Sequence, residues 1–194
     1  AADHVAQLAD DVVPHYGIST GFGALASKRV PMEQRAILQH SLIRSHAAST
    51  GAEVEREVIR AMMLLRLKTM ASGHTGVRRE VVLGYAAMLN AGITPITGEY
   101  GSLGCSGDLA PLAHAALALT GEGIVRDKAG TQMPAAEALA AAGLEPITLR
   151  EKEGLALING TDGMLGQLIL ALTDLDTLVT TADLTTAMTV QALC

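Results

Sequence analysis

Apolar residues recur along much of the chain at the three-and-four spacing of an amphipathic helix. Pro31 at a first helical position opens a helix to about His46, with Ile37, Leu38, Leu42 and Ile43 as its apolar face. Val54, Val58, Met62 and Leu65 mark a second helix from about Glu53 to Met70, which Gly73 is placed to end. A third runs from about Val77 to Asn90 and is stopped by Asn90, Gly92 and Pro95. The texture then changes. Residues 97–107 hold Gly98, Gly101, Gly104 and Gly107 among small polar residues, which no ordinary helix tolerates. Asp108 follows as an N-cap, with Pro111 in the first turn of a helix to about Thr120. Residues 123–133 read as a short hairpin around a turn at 127–130, and residues 134–142 as a small helix ended by Gly143. A last helix fills most of residues 162–193, and a short one covers the first residues. The pattern predicts a mainly α fold with one short β-hairpin.

Composition sharpens this. Hydrophobic residues make up 49% of the 194 residues and aromatics only 2%, so the core must be built from Ala, Leu, Val, Ile and Met. That mixture favours closely packed helices over sheets. A formal charge of −6 and the lack of any basic cluster argue against a nucleic-acid partner. The two cysteines, Cys105 and Cys194, lie far apart and fit a reducing cytoplasm better than a disulfide framework. Residues 164–172, the most apolar run, are about half the roughly 20 that a membrane span needs, so no membrane partner is expected. His4, His15, His40, His74 and His114 show no ligand spacing, and a metal site is rejected. Gly21-Phe22-Gly23 lacks the strand-to-helix context of a dinucleotide fingerprint. Both ends read as cut, so a piece of a longer protein is expected.

The chemistry concentrates in Gly101-Ser102-Leu103-Gly104-Cys105-Ser106-Gly107-Asp108-Leu109-Ala110-Pro111-Leu112, a glycine-relaxed loop feeding a helix N-terminus. Gly107 has no Cβ, so its amide nitrogen can fold back onto the Cys105 carbonyl carbon and close a five-membered ring. The compression strains the backbone by about 1–3 kcal/mol. Holding the two atoms in contact supplies roughly 7–11 kcal/mol of the cyclisation barrier. Loss of water and of the Ser106 hydroxyl then leaves an exocyclic methylidene, a strong electrophile. The following helix N-terminus would stabilise negative charge developing beside it. Two plainer readings stand next to this one: an ordinary N-cap loop, and Cys105 as a thiol nucleophile activated by the helix N-terminus.

The long motif, with Ala113-His114 after it, resembles the signature of the aromatic amino acid ammonia-lyase family. In that family the central tripeptide becomes the prosthetic group methylidene-imidazolone (MIO). Cys105 stands where the usual residue is Ala, a position that lends only its backbone to the ring. Tyr16-Gly17-Ile18-Ser19-Thr20-Gly21-Phe22-Gly23 resembles the family's active-site loop, which implies Tyr16 as the proton-handling group. An unperturbed phenol is a poor base, so that role requires burial or a nearby cation. Ser45-His46 falls where the family selects its substrate ring and looks like the histidine-specific members; His46 could then hydrogen-bond an imidazole. Glu153-Gly154-Leu155-Ala156-Leu157-Ile158-Asn159-Gly160-Thr161 resembles a third motif, in which Asn159 reaches the ring or the substrate while also ending a helix. Residues 73–78 resemble a further segment, read as structural.

The resemblance implies an MIO-bearing region over residues 1–150 and, over 151–194, the start of a central helical bundle. It implies a homotetramer that eliminates ammonia from L-histidine to give trans-urocanate. The ring would come from Cys105, Ser106 and Gly107, with support from Asp108, and no metal or dissociable cofactor is expected. Tyr16, Ser106 and Asn159 would be catalytic, and His46 and Asn159 would bind substrate. Family members are about two and a half times longer and complete their sites with later residues and other subunits. Negligible lyase activity is therefore expected of this chain alone, and it could be an uncyclised precursor. The alternatives are a catalytically silent folding or oligomerisation module, an MIO-dependent aromatic aminomutase, and a phenylalanine or tyrosine ammonia-lyase.

Overall fold

The computed structural model of the protein describes residues 1–105 and 107–193. The fold is mainly α. Its helices are α1 (Ala2–Ala9), α2 (Met32–His46), α3 (Arg56–Ala71), α4 (Arg79–Asn90), α5 (Leu109–Leu119), α6 (Ala135–Ala141), α7 (Glu153–Ile158) and α8 (Asp162–Leu193). The strands are β1 (Thr50–Glu53), β2 (Thr94–Pro95), β3 (Gly98–Tyr100), β4 (Ile124–Arg126) and β5 (Gln132–Pro134).

Helix α5 is the hub, because five of the eleven residues in its sequence Leu-Ala-Pro-Leu-Ala-His-Ala-Ala-Leu-Ala-Leu are alanine and let neighbouring helices approach closely. It packs against α2, α7 and α3, with Leu112, Ala113, Ala115 and Ala116 fully buried. Methionines 62, 63 and 88 fill the space around it, as the scarcity of aromatics predicts. Tyr85 is the one large aromatic in that core. Burial pushes its phenol pKa up, so it stays neutral at physiological pH.

The hairpin forms as expected from β4 and β5, and β2 joins it to make a three-stranded antiparallel sheet, order β2-β4-β5. A second sheet was not expected. β1 pairs antiparallel with β3, Thr50 opposite Tyr100. All four β1 residues are exposed, so they lack the alternation that reveals a strand. This also corrects the start of the second helix from Glu53 to Arg56. Glu53 ends β1, where Arg126 grips its carboxylate at 2.6 and 2.7 Å and holds its pKa below the usual range.

Helix α8 is 32 residues long. Only its first turns are covered, packed on α3; beyond Gly166 it is open, with Leu168, Leu172, Leu175, Leu178, Val179, Leu184 and Met188 all more than half exposed. Its threonines form a ladder: Thr173, Thr177, Thr181, Thr185 and Thr189 each donate a hydroxyl to the carbonyl four residues earlier, at 2.8–3.2 Å. Through residues 153–193 the chain reaches a mean hydropathy of 1.4, which by length and composition suffices for a membrane span. Residues 164–172 alone had not suggested this. Asp174, Asp176 and Asp183 lie within that helix, and each would cost about 2.5–3.5 kcal/mol in a bilayer core.

Candidate active site

The loop between β3 and α5 is shaped by close backbone approach. A Cβ on Gly101 would sit 2.9 Å from the Cβ of Ser49, so the loop lies against the chain just past α2. Gly104 and Cys105 are both left-handed, with φ of +66° and +55°. That is costly for Cys105, a residue with a side chain. The Gly107 amide donates to the Gly104 carbonyl at 3.1 Å, closing the turn around the tripeptide. The Cys105 side chain is exposed. Ser106 lies outside the described residues.

The far side of the turn rests on the segment that joins α7 to α8. The Asp108 amide donates to the Gly160 carbonyl at 2.6 Å, and a Cβ on Gly107 would sit 3.0 Å from the Gly160 nitrogen. Asp108 is fully buried. Its carbonyl accepts from Leu112 at 3.1 Å and so begins α5, as expected. Asp108 is the N-cap residue, as expected, but its carboxylate makes no hydrogen bond to the first turn of that helix. One oxygen accepts from the Ser102 hydroxyl, the other from the Met164 amide at 2.9 Å in the first turn of α8. The carboxylate thus serves the positive end of a helix 56 residues away in sequence, and Gly163 leaves room for it.

Asn159 is exposed at the C-cap of α7, its amide donating to the Leu155 carbonyl at 3.0 Å. Beneath it Arg66, 3% exposed, crosses from α3. It forms an ion pair with Asp162, the first residue of α8, and donates to the Ala156 carbonyl at 3.2 Å. The start of α7 is pinned separately, by Arg78 on the buried carboxylate of Glu153 at 2.8 and 2.9 Å. That contact explains the structural reading of residues 73–78. The Tyr16 loop is seated on α7, where a Cβ on Gly17 would touch Leu155 at 3.0 Å. Tyr16 packs edge-on against Phe22, ring centres 6.1 Å apart, and accepts from the Gly23 amide at 3.2 Å. Tyr16 is 53% exposed, so this chain does not supply the burial that the expected proton-handling role would require.

His46 is half-buried at the end of α2. Its Nδ1 lies 2.8 Å from the Leu42 carbonyl and 3.0 Å from the Ser45 hydroxyl; a proton on Nδ1 bonded to that carbonyl leaves Nε2 as an acceptor. Three residues on, Ser49 donates its amide to His114 Nε2 at 3.3 Å and its hydroxyl to the same nitrogen at 2.8 Å. The Ser49 oxygen in turn accepts from the Gly98 amide at 2.8 Å. Loop, α2 end and α5 therefore meet at Ser49. Among the described residues Tyr16, His46 and Asn159 form no hydrogen bond with one another; what they share is the turn around the tripeptide. Direct contact joins that turn to Gly160, Ser49 links the loop to the His46 end of α2, and the Tyr16 loop meets α7 at Leu155, one turn before Asn159.

Burial holds the His114 pKa below its ordinary value of 6.5. The unfolded imidazole takes its proton first as pH falls. His114 therefore contributes stability that is complete above about pH 6.5 and is lost as pH falls through the folded value. The denaturant midpoint is expected to drop between pH 7 and pH 5, and His114→Gln should flatten that drop; an equal drop in both proteins would show that His114 does not titrate this way.

Sequence reasoning missed Arg66, Asp162 and Ser49. Arg66 had a visible signal: it stands four residues after Met62 and eight after Val58, a charge on an apolar stripe.

Known proteins resemble this chain in sequence and in fold. The family model described as aromatic amino acid lyase matches residues 1–194. The chain is 63% identical over 186 residues to a histidine ammonia-lyase of Streptomyces griseus, covering 96% of this chain and 36% of that protein. Among solved structures it resembles a Pantoea agglomerans phenylalanine aminomutase, with a TM-score of 0.86 and 35% identity over 93% of this chain and 35% of the other. It also resembles a histidine ammonia-lyase from Trypanosoma cruzi, with a TM-score of 0.77 and 38% identity over 85% of this chain and 31% of the other. The chain spans about a third of the length of these relatives. By sequence and by fold, this chain belongs to the aromatic amino acid lyase family.

Proposed function

We propose that the whole protein eliminates ammonia from L-histidine to give trans-urocanate, with a methylidene-imidazolone formed from Cys105, Ser106 and Gly107. The observation that carries this is the turn itself: left-handed at Gly104 and Cys105, closed by the Gly107 amide, and pressed so near Gly160 that a Cβ on Gly107 would be tight against its backbone. These residues fit the ring, because the hydrogen bond from Gly107 to Gly104 already turns the chain around the tripeptide and the N-terminus of α5 lies beside it. When formed, the group supplies an electron-poor methylidene that draws electron density from the substrate. His46 offers Nε2 as an acceptor to the N–H of a substrate imidazole. Asn159 presents its amide beside the turn, and Tyr16 removes the β-proton once the rest of the protein covers it. The free N–H groups of α5 stabilise negative charge developing at the turn. Assembly as a cytoplasmic homotetramer, with the open face of α8 covered, belongs to the same reading, and so does catalytic silence of this chain alone.

The test is a product assay on the full-length protein with L-histidine, L-phenylalanine and L-tyrosine. Trans-urocanate from histidine is expected, and a β-amino acid from either aromatic substrate would favour an aminomutase instead. His46→Leu should lower kcat/KM for histidine about a hundredfold, because a site built to hydrogen-bond its substrate loses heavily when the partner is removed. Unchanged histidine preference in that variant would remove His46 from the site.

A further inference from the structure

We infer that Arg66 is a positioning residue, holding the Asn159–Gly160 turn against the tripeptide loop through its ion pair with Asp162; this rests on the function proposed above. Arg66 occupies a buried place on α3 where an apolar side chain would pack α3 against α8 without desolvating a charge. A buried ion pair is weak as a stabiliser and strong as a geometric constraint. Here one guanidinium grips both ends of a short connection. Nη1 holds the Ala156 carbonyl near the end of α7, and Nη2 holds Asp162 at the start of α8. Between those points the chain passes directly over the guanidinium, so closely that a Cβ on Gly160 would overlap Arg66 Nη2. The carbonyl of that same Gly160 receives the Asp108 amide at 2.6 Å, which places the tripeptide loop. Arg66 thus lies one residue-thickness below the contact between the loop and the Asn159 turn. The arrangement is not perfected for stability, since among the described residues Arg66 Nε and the nearby Tyr85 hydroxyl are buried without partners.

The experiment uses the full-length protein with Arg66→Lys, which keeps the buried charge but cannot span both contacts. Asp162→Asn is the second variant, should the first fail to fold. Hydrogen exchange across residues 158–164 is expected to accelerate about tenfold or more, with exchange in α4 and α5 unchanged. kcat should fall about ten- to a hundredfold while KM moves less than about threefold, the signature of misplacement rather than lost binding. In an Asn159→Ala background the same Arg66 substitution should cost less than about twofold more, because its effect passes through Asn159. Unchanged exchange at residues 158–164 in both variants overturns the inference, and so does full multiplication of the Arg66 and Asn159 effects. If the unsubstituted protein turns over none of the three amino acids, the proposed function falls, and the exchange result still decides whether Arg66 holds the turn.

Discussion

Full-length protein carrying Gly107→Ala is expected to be heavier than its parent by the two waters that ring closure releases, beyond the added methylene, and to lose roughly a thousandfold or more in lyase activity. Two separate causes act at that position. A Cβ there would stand 3.0 and 3.1 Å from the nitrogen and oxygen of Gly160, backbone atoms that cannot swing aside. The turn would have to shift, and with it the hydrogen bond from the Gly107 amide to the Gly104 carbonyl that closes the chain around the tripeptide. Positioning of this kind is worth roughly 7–11 kcal/mol, so losing even half of it slows cyclisation by a factor of a thousand. Intact mass reads ring formation and the product assay reads activity. If the variant shows the same two-water deficit as its parent, ring closure does not depend on the tightness of this turn.

The second large effect is expected at Asp108. Asp108→Ala should lower the stability of the 194-residue chain by about 3–5 kcal/mol, because hydrogen bonds to a charged group contribute about 1.5–3 kcal/mol each and this carboxylate accepts two. For a domain of this size the thermal midpoint should fall by about 10 °C. Asp108→Asn keeps one acceptor and should lose about half as much. Thermal unfolding of the three proteins checks the ranking. Equal midpoints for Ala and Asp would mean that Ser102 and Met164 find other partners at no cost.

Much of this was legible in the sequence wherever local chemistry decided it. Pro31, Gly73 and Asn90 punctuate helices whose apolar spacing is regular, and the observed elements begin and end within a few residues of them. The apolar spacing predicts one helix over most of residues 162–193, and α8 spans Asp162–Leu193. The tripeptide loop was legible because glycine at four places in residues 97–107 has no meaning inside a helix. What escaped depends on partners distant along the chain. The pairing of β1 with β3 joins segments some fifty residues apart and leaves no alternation in Thr50-Gly51-Ala52-Glu53. Asp108 sits where an N-cap belongs, and nothing nearby says that its carboxylate turns to α8 instead. Arg66 and Asp162 are 96 residues apart, and only the fold makes them one unit.

The threonine ladder of α8 changes what that helix can become. A row of hydroxyls reads as a polar face, which would have to stay in water or find donors and acceptors on whatever covers it. Here each hydroxyl is already spoken for by the carbonyl one turn earlier, and the methyl groups are what remains to be presented. Covering those positions therefore strands no hydrogen-bonding group and incurs no desolvation penalty of the usual size for a hydroxyl. The threonine positions of a helix that looks half hydrophilic by composition can thus be enclosed by plain hydrocarbon, while Asp174, Asp176 and Asp183 still call for water or a polar partner.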